Sequence, residues 1–401
     1  FYLFASTALR ALDASQLEAA QSLGSSPMRT IRMVILPALK PAVLAASILT
    51  FMASMASFSA PLIFGGNRRF MTLQIYNAKL NGELNVAAAE AIGLTVISIL
   101  FFLLLKAAAE DAPSSGAKGV VRNGVLPLSR YVKIGMIGLC FALLTLELLP
   151  IITIFVISFA REGSWTLQIL PDAYTMKNYA KLFDEPSFLV PIRNSVLMSI
   201  ITAAASIVIG VSTAYLTTKG RLRHWRFAID LFATMPYAVP GTVIAIALIL
   251  AFNKPTIFSA QTILVGTFWI LPLAYFIRLF PVVVRSTTAS LAQMDDSLTE
   301  AADTFGATAW QKFSKVVLPL ILPGITSGAL LVMITALGEF VSSVLLYSYS
   351  NRPIAVEILA HMRSYNFGAA AAYSVLLLGL ITIITFLAAK LGKRSAADSI
   401  T

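Results

Sequence analysis

Charge is missing from long stretches of this chain. Uncharged runs cover 41–67, 194–218, 231–253, 255–277, 316–338 and 364–389, and two more, 84–105 and 134–160, are interrupted only by Glu90 and Glu147. A helix needs roughly 20 residues to cross a hydrocarbon core of about 30 Å, and each run is long enough. Unpaired backbone polar groups are too costly in lipid, so the runs must be helical. The pattern predicts eight spans, near 38–64, 86–106, 134–160, 194–218, 228–253, 261–284, 319–348 and 368–390. The expected fold is therefore all-α, a polytopic transmembrane helix bundle. The first residues run straight into a polar loop, which does not fit a signal peptide.

Composition strengthens this picture. Hydrophobic residues make up 58% of the chain and charged residues 12%, against about 25% charged in an ordinary soluble domain. The bilayer is the expected partner. The net charge of +11 does not indicate nucleic acid, because the basic residues sit at span ends rather than on one face. They read as orientation signals. With the basic segment 219–226 placed in the cytoplasm, most Lys and Arg residues fall on that side. The single cysteine, Cys140, lies inside a predicted span and reads as a small buried apolar residue. One cysteine allows no intrachain disulfide and no thiolate metal cluster.

The chain also repeats itself. Residues 18–58 lie on 300–340 without a gap, and ten of the 41 positions are identical. Matches include Glu18-Ala19-Ala20 with Glu300-Ala301-Ala302, Gly24 with Gly306, Leu36-Pro37 with Leu318-Pro319, Pro41 with Pro323, and Phe58 with Phe340. Two tandem halves follow. Residues 1–106 carry a loop and two spans, 107–130 form a cytoplasmic linker around Ala112-Pro113-Ser114-Ser115-Gly116, and 131–401 carry six spans with the second loop at about 286–318. Residues 1–8 match the end of the span before Glu300, so the first half is expected to be truncated, with about four further spans before it. The loop at 161–193 is expected on the periplasmic side.

Each repeat core reads Glu-Ala-Ala, three residues, Gly, nine residues, Val, one residue, Leu-Pro. Asp13 and Asp295 are placed to cap the first helix of each core. Gly24 and Gly306 are placed to end it, because glycine tolerates positive φ. A second short helix carrying Trp310, Phe313 and Val316 should follow in the second copy. Pro37 and Pro319 suit a helix start, where a missing N–H costs nothing. The spacing resembles the EAA loop of binding-protein-dependent ABC importer permeases of the type I fold, with Val34 and Val316 where Ile is usual. The resemblance implies that each loop is a coupling helix docking into a groove of a cytoplasmic ABC ATPase dimer. Glu18, Ala19, Ala20 and Gly24, with Glu300, Ala301, Ala302 and Gly306, would form and shape that docking surface. It further implies a periplasmic solute-binding protein as partner and an inner-membrane location. The segment from Met235 to Thr242 and the run from Leu170-Pro171 to Asn178-Tyr179 resemble ferric-iron permeases, which makes ferric iron the leading substrate. Related branches carry 2-aminoethylphosphonate, thiamine, polyamines or sulfate.

No Gly-x-x-x-x-Gly-Lys-Ser/Thr phosphate loop occurs in the sequence, so the chain is not expected to be an enzyme or to hold a cofactor. ATP and magnesium would belong to the partner ATPase. His224 and His361 form no metal or catalytic cluster in sequence. Ionisable groups inside a membrane are costly and often face a pathway. Glu339 is therefore a candidate for the translocation path, or else a carboxylate near the periplasmic interface, or one paired with Arg352 or Arg363. Pro236 and Pro240 are candidates for a bend beside the path, with Tyr237 between them as a substrate contact or an interfacial aromatic. An ATP-independent channel or secondary carrier remains the reading from another class, since repeats occur there too.

Overall fold

The computed structural model describes residues 1–10, 12, 14–110, 129–165, 168–219 and 225–398. Most of the 107–130 linker, the Asp13 cap and His224 lie outside the described residues. From the N-terminus the helices are α1 (Tyr2–Arg10), α2 (Ala14–Ser22), α3 (Pro27–Thr30), α4 (Leu36–Met55), α5 (Ser59–Phe64), α6 (Met71–Leu80), α7 (Leu84–Glu110), α8 (Arg130–Ile157) and α9 (Lys177–Asp184). They continue as α10 (Pro186–Thr218), α11 (Arg226–Ala238), α12 (Gly241–Phe252), α13 (Ile270–Gln293), α14 (Asp296–Thr304), α15 (Ala309–Lys312), α16 (Leu318–Leu337), α17 (Val341–Leu346), α18 (Ile354–Arg363) and α19 (Phe367–Asp398). Among the described residues there is no strand, only an isolated bridge between Ala160 and Tyr174. The chain is a multi-pass membrane protein of all-α class.

Among the described residues, seven helical stretches are long and apolar enough to span, and the bent pair α11–α12 raises the number to eight if it counts as one span. Several expected spans need correction. The run at 228–253 is two helices meeting at 107°. Val239 and Pro240 between them are extended, at φ −83° and −58°, and a proline both removes a donor and disfavours helix in the residue before it. The span expected at 261–284 starts only at Ile270. Those expected at 38–64 and 319–348 stop at Met55 and Leu337 and begin further upstream. In the second case Glu339 takes the N–H of Ser342 at 3.1 Å and so caps a new short helix, α17.

Two compact units emerge. The first contains Phe1–Ser57 and Thr95–Ile151, and the second Phe58–Leu94 and Ile152–Thr401. In the first, α1 packs on α4, and Phe51 meets Phe101 with ring centroids 4.3 Å apart. In the second, α13 is packed against both α10 and α16. Small residues allow that contact. A Cβ on Gly324 would lie 2.0 Å from Ser290 Oγ, and one on Gly328 2.1 Å from Ser286 Oγ. This is the small-xxx-small arrangement that lets membrane helices approach closely. Large apolar side chains such as Leu146, Val208 and Phe232 are exposed, as a lipid-facing surface requires. Cys140 is exposed too, against expectation. Nearly all of α8 is exposed around it, so being in an apolar span did not bring burial.

The repeat extends well beyond its matching residues. α2, α3, α4 and α5 return as α14, α15, α16 and α17 at a constant shift of 282, and α6 and α7 return as α18 and α19 at a shift of 283. The step arises between α5 and α6, where 65–70 is one residue shorter than 347–353. Gly82 at φ +79° corresponds to Tyr365 at φ +59°. Within the second unit Phe58 touches its own counterpart, Phe340, with ring centroids 6.0 Å apart.

Candidate functional site

Two arrangements of polar residues stand out, and the loops at the repeat cores come first. In each, the opening helix closes on a left-handed glycine. Gly24 and Gly306 both have φ +74°, and the next residue donates back across the turn, Ser25 N to Ala20 O and Ala307 N to Ala302 O, each at 3.0 Å. That six-to-one bond satisfies helix-end carbonyls. The second short helix is then capped. Ser26 accepts from Arg29 N at 3.4 Å. Thr308 and Gln311 form a reciprocal capping box, which satisfies two free donors at once. Asp295 caps α14 by accepting from Ser297 N at 2.9 Å, and these hydrogen bonds hold its carboxyl below the usual range.

Pro37 and Pro319 stand at the second residue of α4 and α16, as expected, but no break precedes either helix. The helical path runs unbroken through Pro27–Met55 and Ala309–Leu337. Before each proline the helix widens into a π-turn, Ile31–Ile35 and Phe313–Val317. Leu36 N reaches back to Ile31 O, and Leu318 N to Phe313 O. A proline ring clashes with the carbonyl four residues earlier in a regular helix. One extra residue per turn moves that carbonyl away, and such bulges mark functional positions in many helices.

The surface of both loops is open. Glu18, Ala19, Gly24, Glu300, Ala301 and Gly306 are exposed, and Ala20 and Ala302 half-buried. Beside them project Leu23 (87% exposed) and Met28 (73%) on the first loop, and Phe305 (90%) and Trp310 (73%) on the second. These are equivalent positions, so each loop offers two large apolar side chains in one register. Lys312 grips Asp303 at 2.6 Å in the second loop. Lys219 pairs with Asp296 there as well.

The other arrangement lies at the break between α11 and α12. Glu339 is only 6% exposed, and its partner is Arg278 of α13, whose Nη1 donates to both carboxylate oxygens at 2.7 Å. The pairing considered with Arg352 or Arg363 does not form. Arg352 pairs with Glu357, which lies 3.4 Å from His361 Nε2. Arg363 donates to Tyr76 Oη at 3.3 Å. Ser343 donates to the Glu339 carbonyl and meets Tyr275 Oη at 2.6 Å. Ser342 Oγ donates to Gly241 O at 3.3 Å, and a Cβ on Gly241 would sit 2.8 Å from Arg278 Nη1. The structure thus brings Glu339 to the Pro240–Gly241 break. Pro240 is buried there, whereas Pro236 is half-buried and Tyr237 exposed in the last turn of α11. Arg278 was missed from sequence. Its signal was present: it ends the uncharged run 255–277 and faces a carboxylate that ends another.

Residues 1–110 and 206–396 match the family described as "Binding-protein-dependent transport system inner membrane component". The chain belongs to this family. A relative in Sinorhizobium fredii, "Probable ABC transporter permease protein y4fN", is 32% identical over 366 residues, covering 89% of this chain and 63% of that protein. The "Ferric transport system permease protein FbpB" of Actinobacillus pleuropneumoniae is 27% identical over 396 residues, 94% of this chain and 55% of the relative. This inner membrane component therefore spans roughly half to two thirds of the length of those relatives. Relatives named as molybdate/tungstate and spermidine/putrescine permeases match 57% and 56% of the chain. A chain of the bacterial alginate ABC transporter, crystallised with its alginate pentasaccharide-bound periplasmic protein, shares the fold at TM-score 0.54 and 16% identity, over 66% of this chain and 97% of that one.

Proposed function

We propose that this chain is permease polypeptide of an ATP-driven importer in the bacterial inner membrane, with coupling loops at 14–35 and 296–317. The observation that carries the reading is the doubled loop surface. A left-handed glycine, an exposed glutamate and two projecting apolar side chains recur in one register, Leu23 and Met28 on one loop, Phe305 and Trp310 on the other. Exposed apolar side chains grouped with polar ones are what a protein partner covers. A cytoplasmic ATPase dimer would take both loops, with Glu18, Ala19, Ala20 and Gly24, and Glu300, Ala301, Ala302 and Gly306, at the contact. ATP and magnesium would act on that partner. A periplasmic binding protein would deliver the solute, and Pro236, Tyr237, Pro240 and Glu339 are the path candidates.

Ferric iron is the leading solute, supported by the ferric-transport name of a relative matching 94% of the chain. The molybdate/tungstate and spermidine/putrescine names favour keeping the other solutes of this class in the assay. In membranes carrying the intact protein, an ATPase should co-purify, and Gly306→Asp should abolish ATP-dependent uptake. Retention of no ATPase, with uptake untouched by Gly306→Asp, would return the channel or secondary-carrier reading. A panel of labelled solutes with the cognate binding protein identifies the cargo.

A further inference from the structure

Two helix breaks touch each other in the second repeat. One is the extended Val239–Pro240 step between α11 and α12. The other is the Gly338–Phe340 step between α16 and α17. Arg278 and Glu339 lie at the junction, and three observations show what they hold. Glu339 lies two residues beyond Leu337, where the arm made of α14, α15, the π-turn and α16 ends. Both of its carboxylate oxygens accept from one nitrogen of Arg278, and one of them also accepts from Ser342 N at the start of α17. Arg278 Nη1 in turn lies so close to Gly241 that a side chain there would have to displace the guanidinium, and Ser342 bonds the Gly241 carbonyl. One pair of charges therefore reaches the loop arm, the central helix α13 and the broken helix together.

The site is next to Phe340, which touches its counterpart Phe58. It is also one-sided. Position 57 in the first repeat, the counterpart of Glu339, is a serine. A charge buried in a membrane bundle is costly unless it is paired or working.

We propose that Arg278–Glu339 is a positioning pair that carries movement of the second coupling arm to the Pro240–Gly241 break. A shift of α16 displaces Glu339, Glu339 draws Arg278, and the break at Gly241 loses or regains its close neighbour. The pair acts through helix position rather than by touching solute. Bidentate contact from one nitrogen, with the capping bond from Ser342, gives the geometry two discrete options, made or broken. That suits a device that switches rather than bends.

This inference rests on the importer reading, and the experiment separates the two. The intact importer, with its ATPase and binding protein, is reconstituted in proteoliposomes, and ferric iron uptake is measured per ATP hydrolysed. Wild type that shows no ATP-dependent uptake of any solute in the panel defeats the importer reading itself. Given a working wild type, Glu339→Gln and the apolar double variant Arg278→Met/Glu339→Leu should each lower solute moved per ATP by about tenfold or more. KM for uptake should stay close to wild type, since no ground-state contact is removed. The double variant guards against misfolding, because an apolar replacement leaves no charge unpaired. The charge-exchanged Arg278→Glu/Glu339→Arg should recover part of the lost coupling. Normal coupling in the double variant overturns the proposal. A raised KM with unchanged turnover also overturns it, in favour of direct solute contact.

Discussion

The two repeats share a backbone and differ in what fastens it. From α2 to α5 and from α14 to α17 every helix end recurs at the same shift, down to the π-turn and the φ +74° glycine. Yet Asp303–Lys312 braces the second loop, where the first has Thr30 bonded to Ser25 Oγ at 3.1 Å. Gly324 and Gly328 face serines of α13, while the counterparts are Ala42 and Ala46. Glu339 is ion-paired in the interior, and Ser57 stands at its counterpart. The difference teaches that glycine and proline placement is enough to hold the loop geometry. The tethers around it are free to diverge, and the Lys219–Asp296, Arg278–Glu339 and Asp303–Lys312 ion pairs all lie in the second repeat.

Breaking that asymmetry should have the largest effect. Arg278→Ala leaves a carboxylate buried alone and should cost about 3–5 kcal/mol, whereas Ser57→Ala should cost no more than about 1.5 kcal/mol. Thermal unfolding in detergent compares them, and equal losses would remove the asymmetry. Next, Gly324→Leu drives a side chain into Ser290 and the Ser286 carbonyl, an overpacking worth about 1–3 kcal/mol. Ala42→Leu should be milder, and the same melts decide. The shared geometry is tested by Gly24→Ala and Gly306→Ala. Nothing lies within 4 Å of either added Cβ, so the cost is backbone strain alone, about 1–2 kcal/mol and equal in both loops. Unequal shifts would contradict the shared conformation.

Caps give smaller effects. Thr308→Ala should cost about 1 kcal/mol, and Ser26→Ala less, because Thr308 belongs to a reciprocal capping box and Ser26 does not. Amide exchange at Gln311 and Arg29 measures both. Last is the Asp295 cap. Its carboxyl is held below the ordinary value by bonds from Ser297. The cap therefore contributes fully above that ordinary value and is lost as pH falls through the depressed one. Protection of the Ser297 amide should fall with pH in that acidic window, and Asp295→Asn should abolish the dependence.

Much of this was legible in sequence, for physical reasons. Glycine at Gly24 and Gly306 is a backbone requirement, so the turn could be read from residue type. The uncharged runs revealed helices, because lipid leaves no other choice. Span ends were less readable. At 338–340 the helix yields to a carboxylate cap on α17, and hydropathy does not register hydrogen bonds. The repeat beyond residue 58 was hidden by a one-residue step and by divergent side chains. Gly82 and Tyr365 share a left-handed turn that the sequences do not share. Arg278 was missed because a partner 61 positions away is set by helix packing, not spacing. Cys140 shows the reverse limit: an apolar context predicts a span, but not which of its faces meets lipid.

On the proposed function, both loops would contact the ATPase. Single cysteines placed at Leu23 and at Phe305 of the intact importer, with Cys140 replaced by serine, test it through a short thiol cross-linker. Each position should capture the ATPase subunit, Leu23→Cys and Phe305→Cys to similar extents. Capture from neither position, while both proteins assemble normally in the membrane, would contradict it.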